Sequence, residues 1–178
     1  MIGEPYPRPM DKVEIRKGGA DDVPVILGML DSAVVWLNAR GITDQWGTEP
    51  WSARPRAVRR VRATVTDGMP WIAEVDGVPA GSLTLTPYPG PDVAPAGEPE
   101  LYVRFLVTDA RFHGRGVGSA LLAHAVGEAR RQGVPLLRVD CFAGSGGRLV
   151  DYYARNGFTP TETYEVDGWK GQVLAMRV

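Results

Sequence analysis

The sequence predicts a single α/β domain, a mixed sheet interleaved with helices and built around a central βαβ crossover. Three observations carry that prediction. The 178 residues suit one domain. Short runs with apolar residues at period 2 alternate with longer runs at helical period. Finally, the strand-like runs 101–107 and 135–142 are joined by a long helical run, which calls for a crossover connection.

The elements follow in order. Residues 1–11 read as a Pro-rich, loosely held tail, and 12–178 as the domain. Val13 to Lys17 alternates apolar and charged residues as a half-buried strand does, and Gly18-Gly19 ends it. Asp21 and Asp22 place negative charge before a helix whose first turn tolerates Pro24. Apolar residues at 23, 26, 27, 30, 34 and 37 hold that helix out to Arg40-Gly41. A loop with Gln45, Trp46 and Trp51 leads to a second helix over Pro55 to Thr66. Residues 71–75 and 78–86 flank Asp76-Gly77, a hairpin signal. Pro87 to Pro99 is crowded with proline and forms a loop. Leu101 to Val107 is β-branched and aromatic, a central strand. Val117 to Arg131 is an amphipathic helix stopped by Gly133. Pro135 to Phe142 is a buried strand, Arg148 to Asn156 a short helix, and 158–166 with 171–178 a last strand pair around Asp167-Gly168.

Composition narrows the function. Hydrophobic residues at 44% and charged residues at 23% match ordinary globular chains. A formal net charge of -1 lacks the basic surplus of a nucleic-acid binder, so no nucleic-acid partner is expected. The single Cys141 excludes an intramolecular disulfide and a Cys-rich zinc site, and His113 and His124 are the only histidines. No apolar run has the length of a membrane span, and the first residues lack a signal peptide's apolar core. A soluble, cytoplasmic protein without metal is the expectation.

His113-Gly114-Arg115-Gly116-Val117-Gly118 follows a strand and opens a helix. Such a turn holds anions, because the first helix amides lack intrahelical partners and the helix dipole is positive there. No Gly-Lys-Ser/Thr follows, so it is not a P-loop. The dinucleotide fingerprint also fails, with Ser119 at its third glycine and Leu136 where the ribose-binding acid belongs. On the residues alone, the turn suits a nucleotide, a dinucleotide or coenzyme A, or serves only as a tight connection.

The stretch from Val107 through His113-Gly114-Arg115-Gly116-Val117-Gly118 to Leu121-Leu122 resembles the cofactor motif of the GNAT N-acetyltransferases, Gln/Arg-x-x-Gly-x-Gly/Ala with a Leu-rich helix. Tyr153-Ala154-Arg155-Asn156-Gly157-Phe158 is similar to that family's second signature, Tyr-x-x-x-Gly-Phe. The element order over 13–178 resembles the same fold. His113 stands in the usual Gln/Arg slot, and Gly146 where the family commonly has Asn.

The resemblance implies an acyl-CoA N-acyltransferase fold with acetyl-CoA as acyl donor. Its diphosphate would sit on the turn, among Arg111, His113, Gly114, Arg115, Gly116, Val117, Gly118 and Ser119. Its pantetheine arm would lie beside Phe105, Leu106 and Val107, and its thioester between the strands 101–107 and 136–142. Tyr153 would protonate the leaving thiolate. Glu100 and Asp140 are candidates for the base, each also readable as a strand-end charge or a satisfied buried acid. Cys141 reads as a small buried thiol rather than an acyl carrier. Trp46 and Trp51 are expected at the acceptor pocket or as a lid over core. Arg54 to Arg62 makes a basic helix face, either solvated or meeting coenzyme phosphates, an acidic acceptor or a partner subunit. The expected reaction is acetyl transfer from acetyl-CoA to a small-molecule primary amine by direct attack. Alternatives are a protein N-terminal or lysine acetyltransferase, or a non-catalytic acyl-CoA sensor. A homodimer through the last strands or the second helix is a possible assembly.

Overall fold

The computed structural model describes residues 12–178, so the Pro-rich tail expected over 1–11 lies outside the described residues. Seven strands form one mixed sheet: β1 Val13–Lys17, β2 Met69–Val75, β3 Val78–Thr86, β4 Leu101–Thr108, β5 Leu136–Phe142, β6 Thr159–Val166 and β7 Trp169–Arg177. Four helices accompany them: α1 Val23–Asn38, α2 Pro55–Asp67, α3 Val117–Gln132 and α4 Arg148–Arg155. The spatial order is β1-β2-β3-β4-β5-β7-β6. Every neighbouring pair is antiparallel except β4 and β5, which α3 joins as the expected crossover.

Local chemistry explains most boundaries. α1 starts after Asp22 with Pro24 in its first turn and buries Val23, Ile26, Leu27, Met29, Leu30, Val34 and Leu37. It ends at Asn38, short of the expected Arg40-Gly41, and left-handed Gly41 closes it by donating to the Asn38 carbonyl. Asp76-Gly77 and Asp167-Gly168 both have positive φ at each residue, the geometry that matches hairpin twist. The second turn is tight enough that β7 begins at Trp169 rather than at the expected Gly171.

Two cores sandwich the sheet. On one face α3 and α4 bury Val117, Leu121, Leu122 and Ala125, with Tyr153 and Phe158, against Leu101, Val103, Leu137 and Val139. On the other, α1 and α2 close over Ile72 and Val107. A Cβ built on Gly81 of β3 would lie 2.6 Å from Val117 Cγ1, so only glycine lets the start of α3 settle onto the sheet.

Two irregularities shape the centre. β4 and β5 pair only over Leu101–Val103 and Leu137–Val139, then part, although both strands continue. β4 also carries a bulge: Arg104 pairs with Thr84 and Val107 with Ser82, so two β4 residues oppose Leu83 alone. Phe105 takes up the distortion with φ of 52°, a left-handed conformation costing roughly 1–3 kcal/mol in a non-glycine residue.

Candidate active site

Where β4 and β5 part, a cleft of about 1140 Å³ opens through the sheet. Phe105, Leu106 and Val107 line one wall, and Asp140 and Cys141 the other. Beyond Val103 each of these strands keeps hydrogen-bond partners on its outer side only, with β3 and β7. An extended chain can therefore add along the open inner edge.

The Gly-rich turn sits at one end. Asp109 caps a 3-10 turn at Ala110–Phe112, and left-handed Gly114 and Gly116 then swing the chain into α3. The first intrahelical bond is from Ala120 N to Gly116 O, which leaves the amides before it facing outward. A Cβ built on Gly114 or Gly116 meets nothing within 4 Å, so the space over the turn is open. His113, Gly114, Gly116, Gly118 and Ser119 line the cleft. That open cradle fits a diphosphate.

Several side chains of the expected cofactor residues contact the scaffold. Arg111 folds back on Asp109, with Nε 3.0 Å from Oδ1 and Nη2 3.1 Å from Oδ2, and does not line the cleft. Arg115 lies over the Phe112 ring, its guanidinium carbon 5.1 Å from the centroid, and Val117 is buried core; neither lines the cleft. Gly118 is small for a reason the sequence did not reveal. A Cβ there would collide with the Tyr152 hydroxyl, which shares a hydrogen bond with Ser119. Tyr152 is thus a strut between α4 and the first turn of α3. Trp36 was also missed: it lines the cleft with its ring 4.3 Å from His113 and with Arg40 stacked on it at 3.7 Å.

Tyr153 leaves α4 toward the cleft and is 5% exposed, edge-on to Phe158 and Tyr152. Burial, then the neighbouring Cys141, Tyr152 and Asp140, push its phenol well above the usual value. The group therefore stays protonated at neutral pH. Burial, then Asp140, pushes the Cys141 thiol up to about 12. A thiol so protonated is a poor nucleophile.

The two base candidates part company. Asp140 lines the cleft and accepts a hydrogen bond at each carboxylate oxygen, 2.7 Å from Tyr102 and 2.6 Å from Tyr164. Glu100 does not line the cleft. Its Oε2 lies 2.6 Å from Arg138 Nε, and its Oε1 takes Arg138 Nη2 at 3.1 Å and Ala96 N at 3.1 Å. Glu100 is committed to a buried ion pair that also ties down the proline-rich loop, since Arg138 donates to the Ala94 carbonyl. The partner could not be read from sequence, lying far along the chain on β5. Trp46 and Trp51 both line the cleft while packing on the α1–α2 core.

Residues 36–158 match a family model described as Acetyltransferase (GNAT) family. The chain belongs to the GNAT acetyltransferase family. Solved structures agree on the GNAT fold. A GCN5-related N-acetyltransferase from Rhodopseudomonas palustris superposes with a TM-score of 0.71 at 20% identity, over 97% of this chain and 100% of that one. The PaiA N-acetyltransferase from Thermoplasma acidophilum, solved with coenzyme A, gives 0.68 at 17% identity over 94% and 99%. The IAA acetyltransferase from Bacillus cereus gives 0.63 at 19% identity over 94% and 100%. No curated protein matches the chain at a significant level. Among the described residues of this GNAT chain, no helix is long and apolar enough to cross a membrane.

Proposed function

We propose that the chain transfers an acetyl group from acetyl-CoA to the primary amine of a small molecule, by direct attack within one ternary complex. The buried, protonated Tyr153 phenol beside the parted strands carries this reading. The open turn at Gly114 and Gly116 receives the donor's diphosphate, and the free edge at Phe105, Leu106 and Val107 receives its extended arm. The acceptor nitrogen bonds to the acetyl carbon while the carbon–sulfur bond breaks. Tyr153 donates its hydroxyl proton to the departing sulfur. Asp140 lies on the acceptor side and takes the hydrogen bond of the attacking nitrogen, its proton passing there or to water. The raised Cys141 thiol favours direct attack over an acyl-enzyme.

Continuous thiol release from acetyl-CoA, measured against a panel of small amines, tests the proposal. Turnover with at least one amine is expected. Tight acetyl-CoA binding without turnover of any amine would replace the enzyme by a sensor.

A further inference from the structure

The α1–α2 side of the cleft carries charges that acyl transfer alone does not explain. Val103 points into the α3-side core and Phe105 packs on the α1–α2 core, with Arg104 between them. The bulge sets Arg104 and Phe105 on the same face, and the Arg104 guanidinium carbon lies 5.7 Å from the Phe105 ring centroid. Arg60 reaches the same ring from α2, at 5.5 Å. Both arginines line the cleft, and among the described residues neither has a carboxylate within ion-pair distance.

Such an arrangement is unfavourable when empty. Arg104 is half-buried, and its pKa is held down first by burial and then by the like charge of Arg60. The shared aromatic ring supports both guanidinium groups. An arriving anion would relieve the repulsion, and guanidinium forks match a planar carboxylate. A fixed anion stands nearby. Asp140, held by Tyr102 and Tyr164, acts on the Arg104 charge, and Tyr164 feels both Arg60 and Asp140. The donor's diphosphate does not compete, because the start of α3 belongs to the opposite face.

We infer that the acceptor is a zwitterionic small molecule of the amino-acid class, its carboxylate held by Arg60 and Arg104 and its amino group lying toward Asp140. The amine half rests on the acyl-transfer reading above; the anion half rests on the two arginines alone.

Two measurements test it. The first compares kcat/KM for L-amino acids and their decarboxylated amines, for example L-phenylalanine with 2-phenylethylamine and L-leucine with isoamylamine. At least one amino acid is expected to exceed its amine by about 10-fold or more. Arg60→Met, on an exposed helix face, and Arg104→Met should bring that ratio toward one, and Arg104→Lys should restore part of it. The second titrates N-acetyl-amino acids, which carry the carboxylate without a reactive amine, onto the full chain by calorimetry. Binding that weakens about 10-fold or more in either Met variant supports the anion site even if no amine is acetylated, which would defeat only the acyl-transfer reading. Turnover of the decarboxylated amines with a ratio of one or below, or wild-type protein that binds no N-acetyl-amino acid, overturns the inference.

Discussion

Replacing Glu100 by Gln removes one charge from a pair whose side chains are 3% and 7% exposed. The carboxylate now satisfies Arg138 Nε, Arg138 Nη2 and Ala96 N, at 2.6, 3.1 and 3.1 Å. Gln keeps one acceptor and turns an amide donor toward a cation, leaving the guanidinium only the exposed Glu162 carboxylate, 3.4 Å away. Breaking a buried pair in this way costs about 3–5 kcal/mol, against a total stability of roughly 5–15 kcal/mol for a domain. At about 2–4 °C per kcal/mol for this size, the melting temperature should fall by around 10 °C. Urea unfolding followed by tryptophan fluorescence, with calorimetry, reads the loss directly. Turnover of the folded fraction at 25 °C should stay near wild type, because Glu100 lies outside the cleft. Removing both charges, as Glu100→Gln with Arg138→Met, should recover part of the loss. Unchanged stability with turnover reduced about 100-fold, the scale of a lost acid–base group, would refute the reasoning and make Glu100 the base after all.

Tyr153→Phe should lower kcat by about 10²–10³-fold with acetyl-CoA affinity retained, by thiol release and calorimetry. Gly118→Ala should lower both stability and turnover, since its Cβ collides with the Tyr152 hydroxyl, and adding Tyr152→Phe should restore part of each. Gly116→Val, forced to a φ of 77° over the open cradle, should weaken acetyl-CoA binding in the same titration. Cys141, its thiol pushed up to about 12, should resist iodoacetamide at pH 8 in the native protein and react in urea. Tyr102, Tyr152, Tyr153 and Tyr164 all have raised phenol pKa values, each chiefly through burial. The folded chain keeps these protons where the unfolded chain releases them, so their contribution is complete below the ordinary tyrosine value of 10.0 and is lost as pH rises above it. Absorbance at 295 nm should show them ionising together with unfolding, and separate ionisation in native protein would contradict the burial.

The elements legible in sequence were those set by local pattern. Val13–Lys17 and Val117–Gln132 follow their apolar periods, and two Asp-Gly turns fix the hairpins. The Gly-rich turn was legible because glycine at 114 and 116 answers to backbone geometry alone. Residues whose roles come from partners distant in sequence were not. Glu100 looked like a candidate base until Arg138 arrived from β5, and nothing local told that Gly118 must also make room for Tyr152 from α4. The bulge was hidden for another reason. Phenylalanine disfavours positive φ, so nothing local marks Phe105, and the tertiary fit overrides the preference.

That extra residue works as a phase shift in β4. Before it, odd-numbered side chains face α3; after it, Leu106 does, while Val107 joins the opposite core. One continuous strand thus delivers two consecutive side chains to the same wall of the cleft without a turn. Residues 104 and 105 can vary while the flanking positions keep their cores. Deleting one residue at 104 or 105 would remove the bulge and restore plain alternation, leaving Leu106 and Val107 in their present cores. The extra residue is thus an insertion that both cores accommodate, adding a side chain to the cleft wall without moving either core.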